Sequence, residues 1–325
     1  MRELTFREAI NEALKEEMLR DDRVFLLGED IGFFGGAFKV TKGLYEVFGA
    51  GRVVDTPISE AAIIGTALGA AMTGLRPVAE IMFMDFTAVA MDQIVNQTAK
   101  VRFMLGGQVT APLVIRTAFG ATGGWAAQHS QSLEAWFLHV PGLKVVAPAT
   151  PADAKGLLKA AIRDDSPVLF LEHKKLYNHK GPVPDGDYVI PLGQAEVKRP
   201  GTDVTIVSYA YMLHRALEAA ERLAKAGIQA EVIDLRTLNP LDTATVIASV
   251  QKTQRLVVAH ESHTNLGLGA EIASRVMEGA FDYLDAPVQR VGALDVPIPY
   301  SPVLEQAVLP DAARIVAAVQ RLRSG

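Results

Sequence analysis

Hydrophobic and polar positions follow two alternating patterns along the chain. Short apolar runs rich in Val, Leu and Ile, "VFLL" (24–27), "PVAEIMF" (77–83), "PLVIRTA" (112–118), "LKVVAP" (143–148) and "PVLFLE" (167–172), have the length and composition of buried strands. Between them lie longer helical patterns: "TFREAINEALKEEMLRDD", opened by a capping box of Thr5 and Glu8, then "SEAAIIGTALGAAMTG", "DFTAVAMDQIVNQTAKVRFML" and "TPADAKGLLKAAIRDD". Such alternation predicts a parallel sheet with helices on both faces. The segment 173 to 202, rich in Lys, Pro and Gly, breaks the rhythm and reads as a linker with some extended structure. Alternation then resumes through "DVTIVSY", "AEVIDL", "RLVVAHE" and "VQRVG", separated by helical stretches and closed by a last helix from Pro310. The expectation is a larger α/β domain over 1–180, a linker over 181–202 and a smaller α/β domain over 203–325.

Composition narrows the classes. A length of 325 residues suits two domains, and 49% hydrophobic with 21% charged residues provides ample core. A net charge of −5 and a pI near 5.8 argue against a basic nucleic-acid surface. With no cysteine there is no disulfide, thiol nucleophile or thiolate metal site. The charged, amphipathic opening shows no secretory signal. The most apolar run, 61–75, falls short of the roughly 20 residues of a membrane span. A soluble, cytoplasmic protein is expected, with neither nucleic acid nor membrane as partner.

Ligands of open parallel sheets sit beyond the carboxyl ends of the strands. Glu29 follows "VFLLG", Glu60 follows "VVDTPIS", Met82 to Phe86 lie where "PVAEIMF" ends, and His129 lies in the Gly-rich loop "FGATGGWAAQHSQ". Each has a plainer alternative. On spacing alone Glu60 is better read as a charge favouring its helix dipole, with Ser59 or Thr56 as cap. Glu29 is a solvated turn residue by the same standard, and His129 is as well read as a structural histidine. The "HESH" stretch (260–263) lacks a third metal ligand, tight-turn geometry is expected to explain the glycines of "GLGAE", and "HKK" and "KRP" read as solvated charge. No GxxxxGK[ST] loop, complete GxGxxG or GDG…N thiamine diphosphate signature is present.

The ordered series "LLGEDIG", "GAFKVTKGL", "DTPISEAAIIGTALGAAMTGLRPVAEIMF", "DQIVNQTAK", "AAQHSQSLEAWF", "PGLKVVAPATPADAKGLLKAAIRDDSPVLFLEHKKLYN" and "EVIDLRTLNPLD" resembles the beta subunits of the thiamine-dependent 2-oxo acid dehydrogenases over essentially the whole chain. These are parts of the decarboxylating components of pyruvate, branched-chain and acetoin dehydrogenase complexes. The resemblance implies a pyrimidine-binding domain followed by a transketolase C-terminal-like domain, in an assembly of two alpha and two beta chains. It implies thiamine diphosphate shared with the alpha subunit, which would hold the diphosphate and Mg²⁺, and a dihydrolipoyl acyltransferase core with lipoyl domains as further partner. Glu60 then matches the glutamate that bonds the pyrimidine nitrogen remote from the thiazolium, favouring the imino tautomer that deprotonates C2. Glu29, Ile58, Ser59, Met82 and Phe86 would line the pyrimidine pocket. Phe83, Met84, Asp85 and Phe86 would border the substrate cavity, with His129 facing the reacting centre. A potassium site would fall at Leu113, Ala161, Ile162, Asp164 and Ser166, where Ser166 departs from the Asn of mammalian members. Among substrates "DTPISE" and "MTGLRP" lean towards pyruvate, with branched-chain 2-oxo acid or acetoin as alternatives. A self-sufficient transketolase-type enzyme and a non-catalytic docking scaffold are the other readings.

Overall fold

Thr5 caps the first helix through both halves of the expected box: the Glu8 amide donates to Thr5 Oγ1 at 3.2 Å and the Thr5 amide to Glu8 at 2.8 Å. The computed structural model describes residues 1–324. It divides into one unit of Met1–Phe119 with Trp136–Leu192, and another of Gly120–Ala135 with the chain from Gly193 onward.

The first unit holds β1 (Arg2–Thr5), β2 (Val24–Gly28), β3 (Val53–Asp55), β4 (Arg76–Phe83), β5 (Val114–Phe119), β6 (Lys144–Val146), β7 (Val168–His173) and β8 (Lys180–Val183). Six of these run parallel in the order β6-β7-β5-β4-β2-β3, while β1 and β8 pair antiparallel as a separate ribbon. Every residue of β5 is buried, as a central strand covered on both faces requires. Its helices are α1 (Phe6–Arg20), α2 (Leu44–Phe48), α3 (Glu60–Met72), α4 (Val101–Met104), α5 (Glu134–Leu138), within which the chain re-enters this unit, and α6 (Pro151–Arg163). α1 packs on α6, where the fully buried Lys155 reaches Glu12 at 2.8 Å and Glu16 at 2.7 Å. Its ammonium is thereby compensated by two carboxylates, the condition for burying a charge.

The pattern over 85–105 reads as one helix, and the structure breaks it. A 3₁₀ turn (Met84–Ala88) and a π turn (Gln93–Thr98) precede the short α4. The buried positions Met84, Thr87, Ala90, Ile94 and Thr98 advance by three, three, four and four residues. That spacing keeps to one face of an α-helix as well, so periodicity alone does not separate a continuous helix from a tight turn followed by a wide one.

The second unit contains β9 (Glu196–Arg199), β10 (Val204–Ser208), β11 (Ala230–Asp234), β12 (Thr237–Asn239), β13 (Leu256–His263) and β14 (Gln289–Ala293). Its sheet runs β14-β13-β10-β11-β9, parallel except for β9. Around it lie α7 (Ala210–Lys225), α8 (Thr243–Thr253), α9 (Leu268–Ala280), α10 (Pro302–Val308) and α11 (Ala312–Ser324). Residues 181–202 thus carry the end of β8 and all of β9. Within the first unit, Tyr188 and Ile190 from this stretch pack so closely on Gly156 that a Cβ there would meet both within 3 Å.

Candidate active site

Three neighbouring strands of the first unit, β4, β2 and β3, present their carboxyl ends side by side. Gly28 at the end of β2 is paired with Asp55 at the end of β3, and the Thr56 amide donates to the Gly28 carbonyl at 2.9 Å. Glu29 therefore leaves the sheet beside the turn Thr56–Ser59 that delivers Glu60 to the start of α3. Both carboxylates are buried, at 9% and 7% exposure, whereas Ile58 and Ser59 lie open on the turn.

The cap interpretation of Glu60 does not match what is seen. Neither the Ser59 hydroxyl nor any other side chain caps α3, and the buried Thr56 hydroxyl has no partner. Among the described residues, none donates a hydrogen bond to the Glu60 carboxylate or forms an ion pair with it. It stands at the head of a helix whose buried positions are otherwise apolar. A carboxylate placed this way is free to accept from a donor outside the chain, such as a protonated pyrimidine nitrogen. The residues fit that group.

Burial, followed by repulsion from Glu60, raises the Glu29 carboxyl above the ordinary carboxylate range. The folded chain then holds a proton the unfolded chain has released, so stability falls as pH rises from the ordinary Glu pKa through the raised one. Glu29→Gln, which mimics the protonated form, is expected to raise the thermal midpoint of the isolated chain at pH 7.5. The gain should vanish near pH 4; melting curves at the two pH values check it.

At the end of β4 a register shift between Ile81 and Phe83 redirects the chain before it enters the 3₁₀ turn. Met82 and Phe86 are half-buried, and Phe83, Met84 and Asp85 are buried. The Phe83 ring lies edge-on to Phe86 at 5.7 Å and to Phe38 at 5.6 Å. Phe38, from the loop after β2, is an aromatic member of this wall that periodicity did not single out; its signal was its place in "GGAF". The charged stretch after β7 is also not the solvated one expected. His173 is 1% exposed, and Lys174 is buried with its ammonium 5.2 Å from the Phe83 ring centre.

Behind the wall lies a buried ion cluster. Arg116 on β5 donates to Glu172 on β7 at 2.6 and 2.9 Å and to Glu80 on β4 at 2.8 Å. Tyr177 donates to Glu172 at 2.9 Å and stacks on Phe38 at 4.9 Å.

The groups matched to a potassium site lie together at the far end of α6 and already serve three cations. Arg76 donates to the carbonyls of Ile162 and Asp164 at 2.9 and 3.1 Å, Lys144 pairs with the Asp164 carboxylate, and Arg102 donates to Ser166 Oγ at 3.0 Å. The Leu113 and Ala161 carbonyls accept from the amides of Val168 and Asp164. Among the described residues no three His, Asp or Glu side chains cluster as metal ligands.

His129 belongs to the second unit, in the loop 120–135. It is half-buried, with the Trp125 ring centre 6.4 Å away. The loop is held by carboxylates: the Ala121 amide donates to Glu261 at 2.7 Å, and those of Gly123 and Gly124 to Glu305 at 2.7 and 3.2 Å. Nothing in the periodicity pointed to these two glutamates. In "HESH", His260 is fully buried with Nδ1 2.9 Å from Ser262 Oγ, and burial drops its pKa to about 4. A Cβ at Gly267 or Gly269 would meet its ring at 2.6 or 2.8 Å. Gly269 is explained by close packing on this neutral histidine, and Gly267 by the ring together with the turn before it, where a Cβ would meet the His263 carbonyl at 2.5 Å.

Fold and site together define a two-domain protein of the transketolase class. Residues 2–180 match the family described as transketolase, pyrimidine binding domain, and residues 193–315 match transketolase, C-terminal domain. The chain is 50% identical to the pyruvate dehydrogenase E1 component subunit beta-2, mitochondrial, of Oryza sativa, over 98% of this chain and 86% of that protein. It is 51% identical to the acetoin:2,6-dichlorophenolindophenol oxidoreductase subunit beta of Cupriavidus necator, over 100% and 98%. It is 50% identical to the pyruvate dehydrogenase E1 component subunit beta of Rickettsia felis, over 98% of each. A solved structure described as a split gene transketolase, inactive beta4 tetramer, superposes with a TM-score of 0.82 at 27% identity, covering 99% of this chain and 98% of that one. The chain belongs to the beta subunits of the thiamine-dependent 2-oxo acid dehydrogenase decarboxylating components.

Proposed function

We propose that this chain is the beta subunit of a pyruvate dehydrogenase that, with an alpha partner in a two-alpha, two-beta assembly, decarboxylates pyruvate and passes the acetyl group to lipoyl groups of an acyltransferase core. The observation that carries the proposal is the buried, donor-less Glu60 carboxylate at the head of an apolar helix. When bound, thiamine diphosphate supplies the nucleophilic carbon that attacks the 2-oxo acid. Glu60 would hold and move a proton at the pyrimidine ring nitrogen, in a dry site where that interaction is worth far more than in water. Glu29, its carboxyl raised by burial and by Glu60, would line the same pocket. Phe83, Met84, Asp85 and Phe86 would exclude water from the substrate's methyl group. His129 would carry the proton exchanged during acyl transfer. Diphosphate and Mg²⁺ are assigned to the alpha chain. A potassium ion at Leu113, Ala161, Ile162, Asp164 and Ser166 would share its ligands with Arg76, Arg102 and Lys144, and no step above depends on it.

Acetoin oxidation is the second reading, favoured by the match to the Cupriavidus necator subunit along the full chain. Dye-linked turnover of the chain co-expressed with its genomic alpha neighbour separates the two. Pyruvate is expected to turn over faster than 3-methyl-2-oxobutanoate or acetoin, and the chain alone is expected to be inactive. Acetoin turnover without pyruvate turnover would install the second reading.

A further inference from the structure

The Gly-rich loop carrying His129 adopts a backbone that would not hold its shape unaided. Gly123 and Gly124 have φ of 95° and 90°, and Ala126 sits at 58°, a conformation that costs an L-residue energy. Ala127 and Ser130 to Ser132 line a cavity of about 280 Å³ whose walls also include Glu261 and Asp295. Earlier in the loop, two successive amides converge on one carboxylate: Glu305, 2% exposed, receives Gly123 and Gly124 on its two oxygens. Glu305 is itself fixed, since α10 begins at Pro302 and the Glu305 amide donates to Ser301 at 2.8 Å. The next residue after the clamped pair, Trp125, is the one whose ring lies beside the His129 imidazole.

We propose that Glu305 is a positioning residue for His129, clamping the loop amides so that Trp125 and the imidazole hold one place. The proposal rests on the proton-carrying role given to His129 above. Two amides sharing one anion form a backbone nest, and such charge-assisted bonds are roughly twice as strong as neutral ones. Their loss releases the loop without touching the sheet.

The test uses the enzyme assembled with its alpha partner, comparing wild type, Glu305→Ala, Glu305→Gln, His129→Ala and the double variant Glu305→Ala/His129→Ala. Glu305→Ala is expected to speed amide exchange over 121–131 by about 10-fold or more, with β10 and β13 as protected as before. It should lower kcat with little change in KM, and the loss should shrink in the His129→Ala background, because both changes disable one group. Glu305→Gln retains one acceptor oxygen, so it should recover part of both effects; it also serves if the Ala variant does not fold. Unchanged loop exchange in both Glu305 variants, or an undiminished loss on top of His129→Ala, would overturn the proposal alone. Full turnover by His129→Ala would overturn the role of His129 and the proposal with it.

Discussion

Glu60→Gln is expected to lower dye-linked turnover of the assembled enzyme by roughly 10²–10⁴-fold, the range typical of a lost general acid–base group. The substitution keeps the side chain's size and its place at the head of α3, and removes only the ability to take up a proton. Because no described residue donates to Glu60, no network within the chain collapses with it. Its thermal midpoint should therefore stay close to that of the wild type, or rise slightly, since a like charge beside Glu29 is removed. A large loss of turnover in a normally folded protein separates proton transfer from helix capping. Turnover that survives the change would return Glu60 to the role of a helix-dipole charge.

Arg116→Met should be the most destabilising single change in the first unit. The guanidinium is 2% exposed and compensates Glu172, which is 1% exposed, as well as Glu80 on the adjoining strand. Burial raises the Glu80 carboxyl despite the nearby arginine. Removing the cation leaves two buried carboxylates facing each other, a change that costs roughly 3–5 kcal/mol for a broken buried pair. Denaturant melts of the isolated chain should show this loss at pH 7.5. It should shrink on acidification, as the stranded carboxylates take up protons. Tyr177, which donates to Glu172 and stacks on Phe38, links the cluster to the aromatic wall, so cofactor affinity should fall together with stability. A melt unchanged from wild type would mean that the cluster contributes specificity and not stability.

The sheet of each unit was legible because buried strands are short, dense and β-branched. The apolar runs at 24–27, 77–83 and 167–172 became β2, β4 and β7 with one or two residues' adjustment. Glu29 and Glu60 could be found because strand ends are where parallel sheets place ligands: Glu29 directly follows β2, and Glu60 stands one short turn past β3. The break in the 85–105 segment is not legible in the sequence because its buried positions keep to one face of an α-helix, so periodicity does not record the switch to 3₁₀ and π turns. Lys174 looked solvated because a buried lysine over an aromatic ring has the same letters as a surface one. Phe38, Glu261 and Glu305 escaped notice for a related reason. Their importance lies in what they meet within their own unit after folding, and no local period records a glutamate on α10 reaching amides some 180 positions earlier.

The measurement that bears most directly on the account is hydrogen–deuterium exchange at the thiazolium C2 of thiamine diphosphate bound to the assembled enzyme, by quench and proton NMR. If Glu60 moves the proton that activates the cofactor, Glu60→Gln slows this exchange by roughly 100-fold or more, in line with its turnover. Equal exchange rates in wild type and variant would contradict that role outright.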